Sequence, residues 1–290
     1  MQRKTPSRVQ LITDGTAILP PLRLRELNII SLPIEARIGR RSYFYDQRTP
    51  GHIDLLRQAA RTREPIEIIA PSADDFRAVF HRVLYRTNKM LVILSSRHLS
   101  PTVENAHLAA LDFMGRCDIM ILDSQTISVG LGLMVEYAGR LLQQGDLPLA
   151  EVVRRVRGMI PHTYVVMITH TLDYLYRSKK LSAMQAILGS MLNIHPFLEI
   201  EEGQILPLEK SRTPEKAVDK LLEFAGEFMQ IERLSILQNS DEPTKEALSL
   251  KSRLQSLFPA MEFPLITYDP IIASHIGPEG LGLVIYEGLK

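Results

Sequence analysis

Three apolar runs, each followed by a hydroxyl-rich loop and then a helical pattern, constrain this chain more than any other feature. Val9 to Thr13 runs into Asp14-Gly15-Thr16. Met90 to Leu94 runs into Ser95-Ser96-Arg97-His98-Leu99-Ser100, and Ile119 to Leu122 into Asp123-Ser124. Strand, polar loop and helix repeated in this way predict a parallel α/β sheet, because each helix carries the chain back across the sheet face. Ligands of such sheets sit at the carboxyl ends of the strands. The loops Thr13 to Thr16, Ser95 to Ser100 and Ser124 to Ser128 fall at those ends and are expected to line one mouth.

The remaining punctuation fits this frame. Pro20-Pro21 opens a helix through Leu27, and Ile30 to Ile34 reads as a second strand. Arg40 to Tyr45 after Gly39 reads as part of a hairpin. Thr49 caps a helix that Pro50 starts and that runs to about Arg63. Ser72-Ala73-Asp74-Asp75 is a capping-box pattern ahead of a helix to about Tyr85. Helices follow from Pro101 to about Met114, from Val129 to Gln144 with Gly145 as its stop, and from Leu149 to Gly158. Ile160-Pro161 is the expected junction, giving domains 1–160 and 161–290.

The second domain starts with a strand at Thr163 to Ile168. Leu181 to Arg212 reads as a helix-hairpin unit. Met184, Ile187, Leu188, Met191 and Leu192 recur at helical spacing, and Asn193 suits a left-handed cap. His195 to Glu201 and Ile205 to Leu208 read as strands around a tight turn. Helices at Pro214 to Gln230 and Thr244 to Phe258 follow, with strands at Ser235 to Gln238, Phe263 to Tyr268 and Gly282 to Tyr286. These strands often pair as hairpins, so a mixed or antiparallel sheet is expected.

Composition narrows the function classes. The 34 basic and 33 acidic side chains leave a net charge of +1, so no global field favours nucleic acid or an anionic membrane. The single cysteine, Cys117, excludes an internal disulfide and fits a reducing cytoplasm. No apolar run is long enough for a membrane span, and the one near the N-terminus is too short for a signal peptide. No P-loop is present, and no cluster of acids or histidines has metal-ligand spacing, so no cofactor is expected.

Several runs together resemble the DegV family, two-domain bacterial proteins that bind fatty acids. They are Asp14-Gly15-Thr16-Ala17-x-x-Pro20, Leu94-Ser95-Ser96-x-x-Leu99-Ser100 and Asp123-Ser124-x-x-x-Ser128-x-Gly130-x-Gly132. Further along come Thr171-Leu172-Asp173-Tyr174-Leu175, Leu188-Gly189-Ser190-Met191-Leu192-Asn193-Ile194-His195-Pro196, Pro207-Leu208-Glu209-Lys210-x-Arg212 and His275-Ile276-Gly277-Pro278. The resemblance implies a Rossmann-like parallel α/β domain followed by an α/β domain with a mixed sheet. It implies a long-chain fatty acid with its acyl chain in an apolar tunnel and its carboxylate at the domain junction. It also implies presentation of that acid to a separate ATP-dependent kinase subunit, which makes the acyl-phosphate.

Carried over by position, Ser96 and His275 match the carboxylate partners, with Ser95 adjacent. Thr16, Ser124, Gly277 and Arg212 line the site. The family's threonine falls at Ile68, which cannot donate a hydrogen bond. Arg97 replaces a glycine, Gly15 a serine, Glu279 a glycine and His195 a lysine. Arg97 is expected to take over carboxylate recognition through an ion pair.

The same residues have plainer readings. Ser95 and Ser96 suit loop or cap hydrogen bonds, His275 a turn, and Gly130 and Gly132 close packing. Met114, Met120, Met134, Met184 and Met191 suit a core or an acyl tunnel. A serine hydrolase using Ser95 or Ser96 with His275 is an alternative. The Gly-x-Ser-x-Gly elbow it needs is absent, because Leu94 and Arg97 flank the pair. A regulatory module with an altered ligand is a third reading, suggested by Ile68.

Overall fold

The structure, a computed structural model, describes residues 9–46, 52–62, 64–171, 173–177 and 195–289. The Thr49-Pro50 helix start, Leu172 and the helix expected over Met184 to Leu192 with its Asn193 cap lie outside these residues.

In chain order the elements are β1 (Gln10–Asp14), α1 (Pro21–Glu26), β2 (Ile30–Leu32), β3 (Ile34–Ile38), β4 (Arg41–Tyr45), α2 (His52–Thr62) and β5 (Glu67–Ile69). Next come α3 (Ala73–Leu84), β6 (Lys89–Leu94), α4 (Thr102–Ala110), β7 (Asp118–Asp123), α5 (Ser128–Gln144) and α6 (Leu149–Gly158). Then follow β8 (Thr163–Thr169), α7 (Asp173–Arg177), β9 (His195–Glu201), β10 (Gln204–Ser211) and α8 (Pro214–Gly226). The last are β11 (Arg233–Gln238), α9 (Lys245–Leu257), β12 (Leu265–Thr267), α10 (Pro270–Ile276) and β13 (Gly280–Tyr286). By contacts the chain divides into two compact units. The first is Met1–Glu35, Phe44–Thr49 and Ile69–Pro161; the second is Ala36–Tyr43, Pro50–Ile68 and His162–Lys290.

The first unit holds the four-stranded sheet, ordered β2-β1-β6-β7 and parallel throughout. The α/β alternation of the sequence is therefore realised as expected. Phe76, Phe80 and Phe113 stack against one face, with ring centroids 5.9 and 5.6 Å apart. The capping box forms: Ser72 Oγ accepts from Asp75 N–H, and the Asp75 carboxylate accepts from Ser72 N–H. Gly145 ends α5 at φ 74°, where a left-handed residue satisfies the last carbonyls.

The second unit holds a six-stranded sheet, ordered β10-β9-β8-β13-β11-β12. It is antiparallel except for the parallel β11–β12 pair, so the expected mixed sheet is present. Glu202 and Gly203 take φ of 47° and 80°, the primed geometry that suits the twist of the β9–β10 hairpin. One sheet face packs on α8 and α9 through Val166, Ile168, Phe197, Leu221, Leu250 and Leu283.

Four local expectations are corrected. Ile30 to Ile34 is not one strand: Pro33, which has no N–H to donate, separates β2 and β3, and they join different sheets. The helix from Pro101 is α-helical only to Ala110 and tightens to a 3₁₀ turn at Leu111–Phe113. Met114 is not core but 75% exposed. The helix from Pro214 ends at Gly226 rather than near Gln230. The sequence reading also missed β5 and α10. The Asp269 cap and Pro270 at the first helical position were signals for α10.

Candidate functional site

In the first unit the three hydroxyl loops are tied together around Asp14. This buried carboxylate accepts from Thr16 N–H at 2.9 Å, Thr16 Oγ1–H at 2.5 Å and Ser95 N–H at 2.8 Å. Ser96 N–H donates to Thr126 O at 2.9 Å, and Ser124 Oγ–H to the same carbonyl at 3.2 Å. Ile18 N–H donates to Ser128 O at 3.1 Å. Thr16, Ser95, Ser96 and Ser124 are thus brought into one cluster, each nearly inaccessible to solvent. Sequence reasoning placed Asp14 at a strand end, not as the acceptor that joins two loops.

The hydroxyls differ in their state. Ser96 Oγ accepts from His98 N–H at 3.1 Å, the loop-bracing role that a strand-end serine often takes. Ser95 Oγ and Thr126 Oγ1 are buried and have no hydrogen-bond partner among the described residues. A buried hydroxyl left this way costs roughly 1–3 kcal/mol and marks a place where an acceptor would be welcome. Arg97 bonds Asp123 Oδ2 through Nε at 2.9 Å and lies 3.8 Å from Glu104 Oε1. Its charge is therefore matched by two acids, and its side chain is half exposed.

In the second unit His275 is buried on the last turn of α10. Asp269 fixes the helix start by accepting from Ile271 and Ile272 N–H at 2.9 and 3.2 Å. The loop that follows is pinned from three sides. Thr169 Oγ1–H donates to Ile276 O at 2.6 Å, Tyr268 O–H to Gly277 O at 3.1 Å, and Asn239 Nδ2–H to Pro278 O at 2.9 Å. Burial pushes the Tyr268 phenol well above its ordinary range, which keeps it a donor. Gly277 has φ 86°, and a Cβ there would lie 2.7 Å from the Tyr174 ring. Ile68 is half-buried on β5, and Arg212 is exposed just after β10.

The sheet face turned away from α8 and α9 is also apolar. Strand alternation puts Val165, Met167, Leu198, Leu237 and Val284 on it, all buried. Gly280 and Gly282 lie on this face of β13. The space their side chains would fill is taken: a Cβ at Gly280 would lie 2.5 Å from Ile276 Cδ1, and one at Gly282 2.6 Å from the Val166 carbonyl oxygen and 2.8 Å from Met167 Cγ. The two glycines thus let Ile276, Met167 and the neighbouring strand pack closely against β13.

A separate cavity of about 290 Å³ opens at the other side of β8 and β13, floored by Ile168, Ala217 and Leu281. His170 and His195 line it, their rings edge-to-face with centroids 5.0 Å apart. Burial, and then His170, hold the His195 imidazole below its ordinary range, so it is neutral at pH 7.

A model of the DegV family, described as uncharacterised proteins, matches residues 8–288. A DegV domain-containing protein of Streptomyces coelicolor is 28% identical over 283 residues, spanning 96% of this chain and 98% of the relative. Among solved structures, a DegV family protein from Thermus thermophilus, described for its fatty acid binding, superposes with a TM-score of 0.83 at 27% identity. That match covers 97% of this chain and 100% of the other. The fatty acid binding protein DegV of Bacillus subtilis superposes with a TM-score of 0.84 at 21% identity, over 97% of this chain and 100% of the other; this likeness is one of fold.

Proposed function

The chain belongs to the DegV family, and on that premise we propose that it binds a long-chain fatty acid rather than acting as an enzyme itself. The acyl chain lies against the apolar sheet face of Val165, Met167, Leu198, Leu237 and Val284. Ser96, Ser95 and His275 hold the carboxylate. The observation that carries this reading is the likeness over nearly the whole chain to a DegV family protein described for its fatty acid binding, and the buried Ser95 hydroxyl with no partner among the described residues supports it. Met167 on this face is unbranched, so its side chain can adapt to a flexible guest. Each buried methylene contributes roughly 0.8 kcal/mol, so the chain supplies most of the affinity and the polar groups fix orientation.

A buried carboxylate loses its hydration and protonates unless donors point at it. Ser95 has a hydroxyl to offer, and a protonated His275 would add a charge-assisted bond. Ile68 supplies nothing. Arg97 is proposed as the compensating group; a ligand carboxylate would compete with Asp123 for its guanidinium. Presentation to an ATP-dependent kinase subunit, with Arg212 near the exit, extends the reading from the family resemblance.

Native mass spectrometry of freshly purified protein tests the core of this proposal. A bound mass in the range of a long-chain fatty acid, released by organic extraction, is expected. Protein that carries no lipid and fails to bind added oleate would overturn it. In a titration, Ser96→Ala and His275→Gln should weaken binding. Unchanged affinity in Arg97→Ala would remove Arg97 from the site. Covalent labelling by a fluorophosphonate would instead favour the hydrolase.

A further inference from the structure

Two departures from the family's pattern, His195 in place of a lysine and Glu279 in place of a glycine, meet at the cavity of about 290 Å³ in the second unit. Strand register explains the meeting. β8 pairs antiparallel with β9 on one side and β13 on the other, and Ile168 lies opposite both Phe197 and Leu281. Those three side chains face α8 and α9. Two residues further on, strand alternation returns each chain to the same face. His170, His195 and Glu279 therefore form a row across three neighbouring strand ends, and all three line the cavity. They lie far apart in sequence, so no ligand-spacing rule finds them.

The row carries the chemistry of a metal site. The His170 and His195 rings stand at 86° with centroids 5.0 Å apart. Two imidazoles on one zinc ion at the tetrahedral angle, with Zn–N of about 2.0–2.1 Å, have centroids roughly 5 Å apart. One His195 nitrogen faces the Thr169 carbonyl, which orients the ring and leaves the lone pair of the other available, as in a metal-ligating histidine. Glu279 is exposed, accepts no hydrogen bond and forms no ion pair among the described residues. Glu246 also lines the cavity, Glu215 acts on His195 from α8, and no lysine or arginine is in the lining. This negative surplus suits a cation. Among the described residues no three ligating side chains already converge. The histidines stand as a pair, and Glu279 is one strand spacing, about 4.8 Å, from His170, within reach of a rotamer change.

We propose that His170, His195 and Glu279 bind a divalent transition-metal ion of the zinc type. The two imidazoles supply neutral nitrogen ligands, and Glu279 closes as the third ligand and offsets one positive charge. Water takes the fourth position, as in an open tetrahedral site. Imidazole donors select such an ion over magnesium and calcium, which take oxygen ligands. The site is independent of fatty acid binding: it lies on the face of the sheet that packs on α8 and α9, opposite the one assigned to the acyl chain.

Equilibrium dialysis of the full chain against Zn²⁺ tests this, after chelator treatment and in a Cys117→Ser background that removes the thiol. Elemental analysis should find one tightly held ion per chain. His170→Gln and His195→Gln should each weaken binding by more than the roughly 10–100-fold that loss of an outer-sphere partner costs. His195→Lys, which restores the family's residue, should abolish it, and Glu279→Gln should weaken it about tenfold. His107→Gln, at an exposed position on α4, should bind like the parent. Co²⁺ in place of Zn²⁺ should give the visible absorption of a four-coordinate ion, absent from His195→Gln. Circular dichroism of the metal-free variants should match the parent, separating lost ligation from lost folding. A parent that holds no Zn²⁺ at submillimolar concentration would overturn the proposal. So would a His170→Gln, His195→Gln double variant that binds as the parent does.

Discussion

Replacing Gly132 with alanine should unfold the first unit more readily than any conservative change nearby. Gly132 lies inside α5, where alanine is ordinarily the better residue by about 1 kcal/mol. Here an added Cβ would lie 1.9 Å from the Ile18 carbonyl oxygen, about 1.4 Å inside the ~3.3 Å of a normal C···O contact. The obstacle is backbone, so no rotamer change relieves it. Either α5 withdraws or the Ile18 segment moves, and both strain the Ile18 N–H to Ser128 O bond of 3.1 Å. Overpacking of this kind costs about 3 kcal/mol. The lost hydrogen bond adds about 1 kcal/mol, and the propensity gain takes roughly the same amount back. The net loss is therefore about 3 kcal/mol, more than a hundredfold in the folding equilibrium.

The same substitution at Gly226, the last residue of α8, meets nothing within 4 Å and should be neutral or stabilising by up to ~1 kcal/mol. Urea titration followed by far-UV circular dichroism compares the pair, since the chain has no tryptophan to report by fluorescence. The two units can unfold separately, so hydrogen exchange at α5 amides should accompany it. A Gly132→Ala loss below about 0.5 kcal/mol, with unchanged exchange, would refute the close-approach argument.

Asp269→Ala removes the acceptor for two N–H groups at the start of α10 and should cost about 1–2 kcal/mol. On the proposed binding reading it should also weaken fatty acid binding through His275, which a thermal shift with and without oleate would resolve. Gly277→Ala combines φ 86° with a Cβ 2.7 Å from the Tyr174 ring, and a loss of about 2 kcal/mol or more is expected on chemical denaturation. Burial, followed by Glu201 and Glu227, raises the Glu199 carboxyl above its ordinary range. The folded state then holds the proton more tightly than the unfolded state, so stability falls as pH rises from the unfolded value of about 4.3 through the folded one. Glu199→Gln should match the parent near the lower end and exceed it at neutral pH. A parent that gains on the variant as pH rises would contradict the assignment.

The local grammar of the chain was legible before any coordinates. The Ser72–Asp75 box, the Gly145 stop and the Glu202-Gly203 turn act over a few residues, so a short window contains their cause. Ser95, Ser96 and His275 stood out through motif resemblance. The Asp14 carboxylate that joins two loops and the close strand packing at Gly280 and Gly282 did not, because each needs strands far apart in sequence to meet. Met114 misled for the same reason: apolar character says a side chain can be buried, not that a partner surface lies over it.

By itself the sequence determined the α/β alternation, the parallel character of the first sheet, the mixed character of the second and most element ends, because hydrophobic period and capping are short-range. Only the tertiary structure decided the strand orders, the division of the chain at Pro33 between two sheets, and the packing of segments 36–43 and 50–68 with the C-terminal residues. Pairing partners are chosen by surfaces that exist only once the chain has folded, and no window of sequence holds both halves of such a choice.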